Sequence, residues 1–122
     1  MQLLDFRVAS STLGNAAVVA ISGELDVHTA ERVAAKLQDA IADARCLVVD
    51  LFETSLVDSA GLGVLASAAR LAKSKGGTFV LASDDPRFLR TLKITGLDRL
   101  FDVEPMLTQA VERAIERTPA TV

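Results

Sequence analysis

The sequence contains no Trp and no Tyr, a single Cys (Cys46) and a single His (His28) in 122 residues. One cysteine excludes an intrachain disulfide, and one histidine with one cysteine cannot build a Zn site of the His/Cys kind or a His-rich metal centre. A basic excess is missing as well: 13 Lys and Arg against 16 Asp and Glu leave a formal charge of −3 at pH 7. Such a chain lacks the broad positive footprint that phosphate backbones or anionic lipids require, so neither nucleic acid nor a membrane surface is expected as a direct partner. Long apolar runs are absent too. The longest, Ala16 to Ile21, is far too short to span a bilayer, and the opening MQLLDF has an acid where a secretory leader carries basic residues. The expected location is the cytoplasm. No metal, cofactor or catalytic centre is called for, and the chemistry left to the chain is that of hydroxyls, carboxylates and surfaces.

What is present is a core. Half of the residues are apolar and 24% are charged, the composition of a folded protein. A chain of this length buries roughly two thirds of its unfolded surface, enough to fold without a staple. Residues 3 to 9 alternate loosely, and Ala16 to Ser22 form a β-branched run after the turn-like Leu13-Gly14-Asn15, which reads as a hairpin. From Thr29 to Ala44 the residues Ala30, Val33, Ala34, Leu37, Ala40 and Ile41 recur at helical spacing. Cys46 to Leu51 is a short continuous apolar run, as in a strand covered on both faces, with Asp50 as a strand-end turn residue and a loop expected over Phe52 to Val57. Asp58 and Ser59 are both good helix N-caps ahead of a helix from Ala60 to Lys75, which ends in a basic turn and Gly76-Gly77. A strand over Thr78 to Ala82, a helix opened by Asp84-Asp85-Pro86 and stopped by Gly96, a short edge strand over Leu100 to Val103 and a helix over Met106 to Arg117 follow, with Pro119 closing the ordered part. Strands alternate with helices after the first hairpin. The expectation is one α/β domain over 1–122, ordered from about 3 to 117, with a mixed four- to five-stranded sheet covered by about four helices.

The densest unusual stretch is Val57-Asp58-Ser59-Ala60-Gly61-Leu62-Gly63-Val64-Leu65. On a 100° wheel Gly61 falls in the apolar arc of Val64, Leu65, Ala68, Leu71 and Ala72, where a missing side chain lets the helix approach the sheet. Gly63 falls on the polar arc with Ala66, Ser67, Arg70 and Lys73, where an interior glycine costs about 1 kcal/mol relative to alanine. A partner's backbone fits such a low surface, with Ser59 one turn before it. Ser59 then has two readings. In one it is only an N-cap and the glycines are packing devices. In the other it is a phosphorylation switch, since a helix N-terminus tolerates the −1.5 to −2 charge of a phosphate, which would change the sign of the docking face and fill the space above Gly63.

Gly23-Glu24-Leu25-Asp26 with Thr29-Ala30, then Val49-Asp50-Leu51, then Asp58-Ser59-Ala60-Gly61-Leu62-Gly63, then LKITGLDRLF from Leu92 to Phe101 resemble, in this order, the anti-sigma factor antagonists of the STAS domain family. The resemblance implies that Ser59 is phosphorylated by a partner anti-sigma factor that is a serine kinase. It further implies that the unphosphorylated chain binds that kinase and frees the sigma factor, and that a serine phosphatase restores binding. Asp26 is implied to lie near Ser59 at the same end of the sheet, with Asp58 and Asp26 shaping the acceptor environment and Gly61 and Gly63 setting helix position and docking surface. Leu62, Ala66 and Arg70 are weaker candidates for partner contact. Where many members have a second serine, this chain has Ala60. Some relatives are scaffold modules of stress-signalling assemblies that are not phosphorylated, and this is the alternative function, together with a nucleotide-binding module.

Other signatures fit less well. Gly61-Leu62-Gly63-Val64-Leu65-Ala66 satisfies G-x-G-x-x-A, with Asp84 and Asp85 about twenty residues on, but both glycines belong to the helix and not to the turn after the strand. Asp50 lacks the acidic pair and the lysine of a phospho-acceptor receiver. Ser59, His28 and Asp26 lack the G-x-S-x-G elbow of a hydrolase, since Val57 and Asp58 precede the serine.

Overall fold

The computed structural model describes residues 6–117. Gly14, with φ at 62°, turns β1 (Arg7–Leu13) back onto β2 (Ala16–Leu25) as an antiparallel hairpin. β3 (Cys46–Val57), β4 (Thr78–Ala82) and β5 (Asp102–Glu104) then add in parallel, so the sheet runs β1-β2-β3-β4-β5. The crossovers carry α1 (Ala30–Asp43), α2 (Ser59–Ser74) and α3 (Pro86–Thr95), and α4 (Leu107–Arg117) ends the described chain.

Two cores follow from the pleat, because alternate residues of one strand face opposite sides. Val19, Ile21, Leu47, Val49 and Leu81 join Val33 and Leu37 of α1, Leu65 of α2 and Leu92 of α3 on one face. Val18, Val48 and Val80 join Ala110 and Ala114 of α4 on the other. The small residues of α4 let it lie close to the sheet, and Thr78 Oγ1 at the head of β4 donates to the Ala114 carbonyl at 2.8 Å. Cys46 is buried in this second core. Among the described residues no helix is long and apolar enough to cross a membrane.

One expectation fails. Phe52 to Val57 is not a loop: β3 continues to Val57 and β2 continues with it to Leu25, three residues past Ser22. The apolar signal stops at Leu51 because the extension is no longer fully buried, and its side chains alternate between half-buried and exposed up to Ser55. Register shifts between Ala20 and Ser22 and between Gly23 and Glu24 curl the paired extension, with Gly23 at φ 98°. Thr54 Oγ1 donates to the Ile21 carbonyl at 2.8 Å beside the first irregularity. Asp50 accordingly lies inside a strand and not at its end, its Oδ1 accepting from the Phe52 N–H at 3.0 Å. β1 runs to Leu13, four residues past the expected alternation over 3 to 9, because this edge strand is almost wholly exposed and carries little apolar signal. The other boundaries move by a residue or two; Gly96 stops α3 in the left-handed conformation at φ 78°, and the edge strand begins at Asp102. The expected closure at Pro119 and residues 3 to 5 of the expected core lie outside the described residues.

α2 is placed by its first turn. Asp58 is the N-cap, its Oδ1 accepting from the Gly61 N–H at 2.9 Å, and Ser59 is the first helical residue. A Cβ on Gly61 would stand 2.6 Å from the Leu25 carbonyl oxygen and 2.8 Å from Leu25 Cγ, whereas a Cβ on Gly63 would meet nothing within 4 Å. Gly61→Ala is therefore expected to cost about 1–3 kcal/mol by overpacking against backbone, while Gly63→Ala stabilises by up to ~1 kcal/mol. Denaturant midpoints of the two variants moving in the same direction would contradict this placement of α2. Asp58→Ala is expected to cost about 0.5–2 kcal/mol in the same assay, with Asp58→Asn avoiding most of that loss because an Asn oxygen still accepts at the cap.

Candidate functional site

The extended ends of β2 and β3 bring Leu25 opposite Val57, so the residues that follow each strand emerge together. The Asp58 N–H donates to the Leu25 carbonyl at 3.1 Å, and the Leu62 N–H to the Asp58 carbonyl at 2.9 Å. While Asp58 Oδ1 caps α2, Oδ2 accepts from the Val27 N–H at 3.2 Å. One carboxylate thus joins the start of α2 to the turn that leads into α1.

Asp26 folds that turn. Its Oδ1 accepts from the His28 N–H at 2.9 Å and from the Thr29 N–H at 3.2 Å, and its own N–H donates to Thr29 Oγ1 at 3.0 Å. Thr29 Oγ1 donates in turn to the Glu24 carbonyl at 2.8 Å. Asp26 stands at the same end of the sheet as Ser59, but its carboxylate serves α1, and its link to the acceptor region runs through Val27 and Asp58. His28 is exposed in the turn.

Ser59 is exposed, and its hydroxyl has no hydrogen-bond partner among the described residues. Capping has been taken over by Asp58, which leaves the serine oxygen unengaged. Beside it runs a groove of about 480 Å³ between α1 and α2, lined by Ala34, Gln38, Ala60, Gly63, Val64 and Ser67, among others. Gly63 keeps this floor low.

Two of the expected contact residues are elsewhere. Leu62 and Ala66 are only 8% and 5% exposed and belong to the main core. Ala66 is expected on a polar arc, but it is buried in the main core with Leu62 and Ala69, so the buried arc of α2 is wider than the sheet-facing stripe. Arg70 is exposed, eleven residues along the helix from Ser59, about 16 Å away at 1.5 Å per residue.

The residues that sequence reasoning missed are apolar and exposed: Val27, 66% accessible, and Leu56, 49% accessible, flank the α2 N-terminus. Leu56 was hidden by reading its strand as a loop, and Val27 has no signal beyond an aliphatic residue in a turn. The surroundings are acidic. Glu24 and Glu53 lie in the extended ends of β2 and β3, and Asp26, Asp58, Asp84 and Asp85 follow parallel strands at the same edge. The cations nearby are Arg7, opposite Ser22; Arg32, whose guanidinium lies 4.9 Å from the Phe6 ring centroid; and Arg87. The Arg87 side chain and N–H hold the Asp85 carboxyl below its ordinary range, and Asp85 raises Arg87 in return. Arg87 is exposed and Asp85 is only half-buried, so solvent screens the pair and it contributes little to stability. A phosphate on Ser59 would therefore deepen an existing negative charge and would not change the sign of the face, contrary to the expectation from the sequence. Among the described residues no cluster of three or more His, Cys, Asp or Glu is placed to hold a metal ion.

Comparison with known proteins agrees with this architecture. The family model of the STAS domain matches residues 7–113. An anti-sigma F factor antagonist of Paenibacillus polymyxa is 33% identical over 88 residues, covering 70% of this chain and 75% of the relative. The crystal structure of an anti-sigma factor antagonist from Mycobacterium paratuberculosis superposes with a TM-score of 0.82 at 28% identity, over 90% of this chain and 94% of that one. The Bacillus cell fate determinant SpoIIAA, solved in its phosphorylated form, shares the fold with a TM-score of 0.67 at 23% identity, over 88% and 97% of the two chains. The chain belongs to the STAS domain family.

Proposed function

We propose that this protein is an anti-sigma factor antagonist whose binding is switched by phosphorylation of Ser59. Unmodified, it docks through the α2 N-terminus and the α1/α2 groove onto an anti-sigma factor that is a serine kinase, which releases the sigma factor in the cytoplasm. Phosphorylated, it lets go, and a serine phosphatase resets it. The observation that carries this reading is that Asp58, not Ser59, caps α2, so an exposed hydroxyl at the first helical position is left without a structural task. The antagonist names of the relatives support it, as does the fold shared with a protein that has been solved phosphorylated.

The physical effect is local. Phosphate adds about −1.5 to −2 charges and three acceptor oxygens beside Asp58, at a spot where the positive end of the helix dipole keeps the modified fold stable. In a docked complex the same group sits over the low floor at Gly63, where an unpaired dianion costs several kcal/mol to desolvate. Asp58 and Asp26 keep the fold of this corner in both states.

Incubation with the anti-sigma factor kinase of the same organism and ATP is expected to add one phosphate, read by intact mass, and Ser59→Ala is expected to add none. Phosphate retained by Ser59→Ala removes the assignment. Gly63→Gln, at a position with open space, is expected to fold normally and to weaken kinase binding at least tenfold by calorimetry. Wild-type affinity in that variant would take the docking surface away from the α1/α2 groove.

A further inference from the structure

The strand-end edge holds a second concavity that the Ser59 switch leaves unused. It opens between the end of β3 and α3, with a cavity volume of about 120 Å³, comparable to the roughly 150 Å³ that admits benzene in an engineered apolar cavity. Leu51, Val57 and Phe88 line it, and the exposed Leu56 also borders it.

Apart from the exposed Ser55, the polar groups of its wall are already engaged. Thr54 Oγ1 donates to the Ile21 carbonyl, Thr91 Oγ1 donates to the Arg87 carbonyl at 3.0 Å, and the buried Ser83 Oγ accepts from the Asp85 N–H at 3.3 Å. The Arg87 guanidinium is tied to both oxygens of Asp85, at 3.3 and 3.1 Å. A nucleotide phosphate would find no uncommitted cation here. An apolar side chain, which needs none, is the guest the walls suit. Glu53, Asp58 and Asp84 adjoin lining residues in sequence, Glu24 pairs with Leu56, and none of the four forms an ion pair among the described residues. Their field favours a guest carried on a basic segment.

We propose that this pocket anchors the kinase: one large aliphatic or aromatic side chain of the kinase, flanked by Lys or Arg, enters between Leu56 and Phe88 while the adjoining surface covers Ser59. The proposal rests on the reading of Ser59 above in taking the kinase as the partner. It has a kinetic consequence. An acidic face made more acidic by phosphate still attracts a basic partner, so modification shortens the lifetime of the complex and does not slow the encounter.

The test measures association and dissociation of the full chain with the anti-sigma factor kinase by stopped flow at 50 and 300 mM salt, with Ser59 phosphate read by mass on the same samples. Leu56→Ser removes the rim, and Thr91→Trp plugs the mouth from the surface of α3, so the two variants fail to fold for different reasons if either does. Both are expected to raise Kd at least tenfold. Glu53→Lys with Asp84→Lys is expected to lower the association rate at least fivefold at 50 mM salt, and phosphorylated wild type to associate within about threefold of the unmodified rate. Wild-type affinity in both pocket variants overturns the pocket, whether or not Ser59 is phosphorylated. Lost affinity in those variants with no phosphate ever appearing at Ser59 leaves the pocket standing and removes the switch. Self-association of the free protein that disappears with Leu56→Ser would assign the pocket to a second copy and overturn the proposal, as would an association rate indifferent to salt.

Discussion

The close approach of Gly61 to the Leu25 carbonyl decides where the exposed serine stands. With no side chain at 61, the first turn of α2 rests directly on the end of β2, and Asp58 fastens the contact from both sides by capping the helix and holding the Val27 N–H. Neither interaction is strong alone. A cap contributes about 1 kcal/mol, and an N–H bond to a carboxylate about 1.5–3 kcal/mol before solvent screens it at this exposed site. Their effect is geometric, since they converge on one carboxylate and fix the α1 and α2 entries relative to each other. Ser59, one residue later, inherits that rigidity without making a bond of its own.

The two glycines of this turn illustrate opposite uses of a missing side chain. At Gly61 the space is occupied by backbone, so the residue type is required for packing. At Gly63 the space is empty, so alanine would be the more stable choice by about 1 kcal/mol. A position held below its best stability on an open surface is a common sign that something else approaches it. The groove between α1 and α2 supplies the place.

Much of this was legible in the residues. The alternation of β-branched runs with amphipathic stretches yields the layered α/β order, and the caps Asp58, Asp85-Pro86 and Gly96 mark the helix ends. The misreadings have a shared physical origin. Burial by other elements is invisible to a single-segment pattern. The extension of β3 carries no apolar run because its side chains are only half-buried or exposed, and Ala66 is buried although it falls outside the stripe that a helix resting on a sheet alone would hide. Gly61 and Gly63 were told apart by the wheel alone, since one lies toward the sheet and the other away. The relation of Asp58 to Val27, across 31 residues of sequence, depends on the register of β2 against β3 and has no local signal.

A serine in the first turn of a 16-residue helix is an uncommon target, since its neighbours are not extended and cannot thread a substrate cleft as a loose peptide does. A kinase acting at Ser59 therefore reads a shape assembled from three parts of the chain: the β2 end, the β3 end and the helix they support. The peptide around the serine, cut out, lacks Leu25 and Val27 and with them the geometry being read. Under the proposed switch, substrate choice is tied to folding itself, and an unfolded or half-synthesised chain would be no substrate until its sheet has closed.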